Sequence, residues 1–160
     1  MARVPNIVEF VTDPQLLGLT ISPAQTVLLK AIYGLPLSND ELDLFRRCTG
    51  RTHYTSQPFA EVTVIAGARA GKDSRIAAPI ICYEAIFGNH ARHLAKGERA
   101  MIPLVAQDQR GSRVAFTYIR DYLTGSPLLA PMIEGEPLAL EIRLTNRTTI
   151  TCFPDRKSVV

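Results

Sequence analysis

Residues 61–87, "EVTVIAGARAGKDSRIAAPIICYEAIF", constrain the fold more than any other part of the chain. The opening "EVTVIA" is β-branched and almost wholly apolar, without the alternation of a half-solvated strand. That pattern predicts a strand buried on both faces, as strands of parallel sheets are. Residues 67–71 then supply a glycine-bearing turn, and a helix is predicted from about residue 72 to 87. Pro79 has no backbone donor, so a kink is expected near the middle of that helix.

The flanking sequence fits an alternation of helices and strands. "SPAQTVLLKAIYG" predicts a helix with Ser22 as N-cap, Pro23 at the first helical position and Gly34 as its stop. In "SNDELDLFRRCTG", Ser38 and Glu41 have capping-box spacing and Gly50 closes the helix. "RAMIPLVA" predicts a second strand and "DQRGSRVAFTYIRDYL" a third major helix. Val114, Ala115, Tyr118, Ile119, Tyr122 and Leu123 form its apolar stripe, with Arg110, Arg113 and Arg120 opposite. "LALEIRLTNRTTITCF" predicts a β-hairpin near residues 138–153, turning at "TNRT". This order specifies an α/β fold whose parallel sheet is flanked by helices. Residues 1–20 are expected to form an amino-terminal arm or short strand, and residues 21–160 a single domain.

Composition narrows the class without choosing a function. Apolar residues make up 46% and charged residues 21% of 160 positions, as in a soluble globular chain. The longest apolar stretch, residues 76–87, is too short to span a bilayer and is interrupted by Pro79 and Glu84. The amino terminus lacks a signal-peptide core, so a cytoplasmic location is expected. Cys48, Cys82 and Cys152 have no C-x-x-C pairing and are read as buried thiols in a reducing compartment. A net charge of +3 is compatible with a polyanionic partner.

The chemistry concentrates at "AGARAGKDS". A glycine-bearing loop between strand and helix lets consecutive N–H groups converge on an anion, and the helix amino terminus adds partial positive charge. Gly71 leaves room for phosphates, and Lys72 can reach the β and γ phosphates of a nucleotide. Against the pattern G-x-x-x-x-G-K-[ST], Ala66 stands at the first glycine and Asp73 at the hydroxyl residue. Gly67 can take the turn one residue later. Either the Asp73 carboxylate or the Ser74 hydroxyl is the expected Mg²⁺ ligand, and the sequence leaves the two open. The Arg69 guanidinium could fork onto phosphate oxygens.

On "VIAGARAGKDSRIAA", with its arginine inside a deviant phosphate loop, the chain resembles the amino-terminal ATPase region of the large terminase subunit of tailed bacteriophages, the DNA-packaging motor. "IPLVAQDQRGSRVAFTYIRDYL" is similar to that family's second strand and following helix, and "SPAQTVLLKAIYG" to the helix bearing a glutamine near adenine. The likeness spans about residues 21–160. It implies a P-loop-NTPase-like domain, incomplete at its carboxyl end because no apolar strand ending in Asp-Glu follows the loop. It also implies ATP and Mg²⁺ as cofactors, with Gln25 at the adenine and Gly67, Ala68, Arg69, Ala70, Gly71, Lys72, Asp73 and Ser74 around the phosphates. Lys72 and Arg69 would be catalytic, Arg69 as an arginine finger in cis. Implied partners are duplex DNA, a portal protein, a small terminase subunit and further copies of the chain, in the host cytoplasm at the procapsid, with no membrane. Arg110, Arg113 and Arg120 are the candidate DNA contacts.

Plainer readings accompany these assignments. Gln25 reads equally as an ordinary helix-start glutamine, and three arginines on one helix face as its solvated side. Arg46 and Arg47 complement a helix dipole. A helicase-like ATPase and a nucleotide-binding module without turnover are the alternative functions.

Overall fold

The computed structural model describes the backbone of residues 3–106 and 109–154 and the side chains of residues 3–106 and 111–153. Helices α1 (Ile7–Thr12), α2 (Pro23–Ile32) and α3 (Asn39–Thr49) come first. A π-helical segment, Lys72–Ala77, leads into α4 (Ala78–Phe87). Strand β1 (Ala100–Ala106), helix α5 (Gln109–Gly125) and strands β2 (Glu141–Arg143) and β3 (Thr148–Pro154) complete the order.

The sheet is three-stranded, with order β1-β3-β2. β1 and β3 run parallel, Ile102 opposite Ile150, and β2 runs antiparallel to β3. The expected parallel sheet is therefore mixed, because the hairpin turn at residues 144–148 returns β2 alongside β3. Leu144 N–H to Thr148 O and Arg147 N–H to Leu144 O close that turn, and Arg147 takes a φ of 64°. Pro103 lies mid-strand in β1. Ala100 N–H bonds Arg147 O across to β3, so the odd-numbered residues of β1, Pro103 included, turn their backbone groups outward. The missing donor therefore falls on the open edge, where proline is tolerated.

One face of the sheet forms the core with α1, α4 and α5. Ile142, Leu144 and Ile150 meet Phe10, Cys82, Ile119 and Leu123, all fully buried. The other face leaves Met101, Val105 and Phe153 exposed. α1 corrects the expectation of an arm or short strand: Asn6 and Glu9 form a capping box, and Ile7, Phe10 and Val11 are buried. Phe10 packs edge-on against Tyr83 and Phe87 of α4, and the Tyr83 hydroxyl bonds Pro5 O.

α2 and α3 begin and end as their caps require. Ser22 caps α2, Ser38 and Glu41 form a capping box, and Gly50 ends α3 at a φ of 68°. The pair holds a second small cluster of Val27, Ala31 and Phe45, with Tyr54 against it. On α5 the buried stripe is Ser112, Ala115, Phe116, Ile119 and Leu123, whereas Val114 and Tyr118 of the expected stripe are exposed. Cys82 and Cys152 are buried as expected, but Cys48 is exposed near the end of α3. No helix among the described residues is long and apolar enough to cross a membrane.

Two departures surround the glycine-bearing loop. Residues 61–66 join no sheet and, among the described residues, make no backbone hydrogen bond; Ile65 is 98% exposed. The expected two-sided burial fails because none of the described strands pairs with them. The helix after the loop changes type just before Pro79. Ala78 N–H bonds Asp73 O, five residues back, and Pro79 falls in the first turn of α4. The wider π turn removes the need for a donor at Pro79 and eases its ring past the preceding turn.

Candidate functional site

Residues 67–70 form a turn, Ala70 N–H to Gly67 O at 3.4 Å, and Arg69 has a φ of 60°. Gly71 follows at 74°. Two left-handed residues flank Ala70, a concave arrangement of the kind in which successive N–H groups form an anion-binding nest. Glycine relieves the strain at position 71, but Arg69 carries a side chain in a conformation that costs about 1–2 kcal/mol. Lys72 then opens the helix, whose amino terminus has no side-chain cap. The uncapped N–H groups and the partial positive charge of the helix end lie next to the loop.

The side chains around it divide into exposed and fixed groups. Arg69 is exposed, and the Lys72 side chain is 59% exposed, with Nζ 3.9 Å from Asp73 Oδ2. Ser74 is half-buried, and its backbone carbonyl accepts a 2.7 Å bond from the Tyr122 hydroxyl of α5. Burial pushes the Tyr122 phenol above its ordinary range, while the charge of Arg75 pulls it back. Gln25 reaches the loop from α2, its Nε2 donating to Ala70 O at 2.9 Å. The structure thus gathers Gln25 and all of residues 67–74 at one place.

Asp73 and Ser74 begin the helix side by side. Among the described residues no group of three or more His, Cys, Asp or Glu could hold a metal ion. A single carboxylate or hydroxyl suits Mg²⁺, which takes few protein ligands and completes its shell with phosphate oxygens and water. Either residue fits that role.

Beside the loop a groove of about 860 Å³ runs along α4. Lys72 and Asp73 stand at one end, Tyr33 and Glu84 at the other, and Val62, Val64, Ile76 and Ile80 line its length. The Tyr33 hydroxyl donates to Glu84 Oε1 at 2.8 Å, and burial, then that bond, pushes the phenol well above its usual range.

Arg113 and Arg120 are exposed on α5, and Arg120 pairs with Asp121 at 3.3 Å. The Arg110 side chain lies outside the described residues. Sequence reasoning missed Tyr122, which belongs to the apolar stripe but turns its hydroxyl to Ser74 O in the helix that follows the loop. It also missed that Ser22 and Gln25 form a capping box, although the S-x-x-Q spacing carries that signal.

Comparison of the chain with protein-family models, with curated proteins and with solved structures yields no match.

Proposed function

We propose that residues 67–74 bind the triphosphate of ATP, and that the chain is the nucleotide-binding part of a DNA-packaging motor of the terminase large-subunit type, with a P-loop-NTPase-like fold. The observation that carries the binding site is the pair of left-handed residues, Arg69 and Gly71, directly before an uncapped helix amino terminus headed by Lys72. Loop N–H groups would cradle the phosphates, and the Lys72 ammonium would balance the charge of the β and γ groups. Arg69 would fork onto the γ phosphate, and its strained backbone is in keeping with a functional loop. Asp73 or Ser74 would hold Mg²⁺, which when bound neutralises charge between the β and γ oxygens. The motor reading adds duplex DNA, met by Arg113 and Arg120, and portal and small-subunit partners in the host cytoplasm.

Binding without turnover is a second reading. It is favoured by the acid content of the site: Asp73 is the single acid between residues 67 and 77, and it is turned towards Lys72. Such a site has no spare carboxylate there to orient an attacking water. Phosphate release measured with saturating ATP and Mg²⁺ separates the readings, and turnover abolished by Lys72→Ala supports the motor.

Lys72→Ala should weaken a fluorescent ATP analogue by roughly one to two orders of magnitude, the scale of a charge-assisted contact. The melting temperature should not change, because the side chain is mostly in solvent. Equal affinity in the two proteins removes the binding site.

A further inference from the structure

The amide of Gln25 is committed on both sides. Its Oε1 accepts from Ser22 N–H at 2.9 Å, completing the capping box of α2, and its Nε2 donates to Ala70 O at 2.9 Å. Only one orientation of the amide satisfies both contacts, since a backbone N–H needs an oxygen and a carbonyl needs an N–H. The side chain is therefore locked between a helix end and the loop. An amide that reads adenine offers an acceptor and a donor along one edge, and here Oε1 and Nε2 each already make one hydrogen bond within the chain, which fixes the amide plane and leaves one lone pair and one N–H.

The bond to Ala70 has a directional consequence. In a trans peptide the C=O and the following N–H point opposite ways. Drawing the Ala70 carbonyl towards α2 therefore aims the Gly71 N–H away from α2. Packing reinforces this: a Cβ on Gly71 would lie 3.0 Å from Gln25 Nε2 and 3.1 Å from Arg75 Cγ. Gly71 is thus favoured by its φ, and a side chain there would also press Gln25 and Arg75 back by a few tenths of an ångström.

From this geometry we infer that Gln25 is a positioning residue, which fixes the Ala70–Gly71 peptide so that the Gly71 N–H is presented to phosphate, and does not select the base. The inference rests on the phosphate-site reading above and deepens it, because it makes the ligand class nucleoside triphosphates of any base, and inorganic tripolyphosphate too. Ser22 caps α2 through its own hydroxyl, Gln25 N–H to Ser22 Oγ at 3.3 Å, so the helix cap can be weakened without touching the loop.

The test is a competition titration of ATP, GTP and inorganic tripolyphosphate against a fluorescent ATP analogue, in wild type, Gln25→Ala, Ser22→Ala and Lys72→Ala. Gln25→Ala should weaken all three ligands by the same factor, roughly tenfold for one lost phosphate contact. It should also shift the Gly71 amide resonance in the ligand-free protein. Ser22→Ala should lower the melting temperature and leave the three affinities unchanged. A loss in Gln25→Ala confined to ATP makes Gln25 an adenine reader and overturns the inference. So does no loss for any ligand, or an equal loss in Ser22→Ala, because the helix cap would then account for everything. Failure of the underlying reading has a different signature: wild type binds none of the three ligands, or Lys72→Ala binds them as well as wild type does.

Discussion

Strand β3, "TTITCFP", and residues 61–66, "EVTVIA", are built from nearly the same kinds of residue and have opposite surroundings. β3 is the central strand, laddered on both sides, with Ile150 fully buried. Residues 61–66 belong to no helix or strand and are unladdered; Val62 and Val64 are over 40% exposed, and Ile65 is in solvent. Grooves flank the stretch on both faces, one along α4 and one of about 380 Å³ against Leu28, Phe45 and Cys48. β-branched composition makes a chain able to extend, but only neighbouring strands turn extension into a sheet. The contrast also puts the laddered sheet on one side of the glycine-bearing loop and an unladdered approach on the other.

The sharpest way to break this contrast is to truncate the matching isoleucines. Ile150→Ala should cost about 3 kcal/mol or more, combining lost burial with a cavity. Ile65→Ala should stay within about 0.5 kcal/mol. Urea denaturation of the two variants decides it, and similar losses would mean that residues 61–66 are packed in solution.

Arg69→Gly acts at the far end of the same approach. Relieving a left-handed arginine should raise stability by about 1 kcal/mol, read as a higher melting temperature, while triphosphate affinity falls. An unchanged melting temperature would show that Arg69 is not held left-handed.

The smallest effect belongs to the helix pair that flanks residues 61–66. Lys30 Nζ lies 2.6 Å from Glu41 Oε1, and this hydrogen bond, with the Ser38 backbone, holds the Glu41 carboxyl below the usual carboxylate range. A lowered folded value means the contribution is complete above the unfolded pKa, about 4.3, and is lost as pH falls through the folded one. That portion of acid sensitivity should be roughly 0.5–1 kcal/mol. Lys30→Met should reduce it in a pH series of melting temperatures, leaving the part held by the Ser38 N–H.

Local chemistry was legible in the sequence wherever it acts within a few residues. The caps at Ser22 and Ser38, the stop at Gly50, the hairpin and helix α5 all follow from short-range rules of capping, turn residues and periodicity. Gly71 and Lys72 could be assigned to the head of a helix on the same grounds. What could not be read depends on distant neighbours. "EVTVIA" looks like an inner strand in isolation, yet a strand exists only with its partner. α1 looks like an arm until Phe10 meets Tyr83 and Phe87. The rotation of the α5 stripe, which exposes Val114 and buries Phe116, is set by the sheet and α4 together. Gln25 was singled out by the family resemblance of its helix, but its bond to Ala70 joins residues 45 apart.

Pro103 blunts one edge of the sheet. A strand arriving beside β1 would meet a missing rung at the middle of its ladder, so that flank resists swapped strands and fibril seeding. The flank beyond β2 is covered by the chain itself: Glu134 N–H bonds Arg143 O, Leu138 N–H bonds Glu141 O and Thr145 N–H bonds Met132 O, beside the bridge from Ile133 to Leu144. Both edges of the sheet are therefore blunted, one by a proline and the other by the segment that precedes β2.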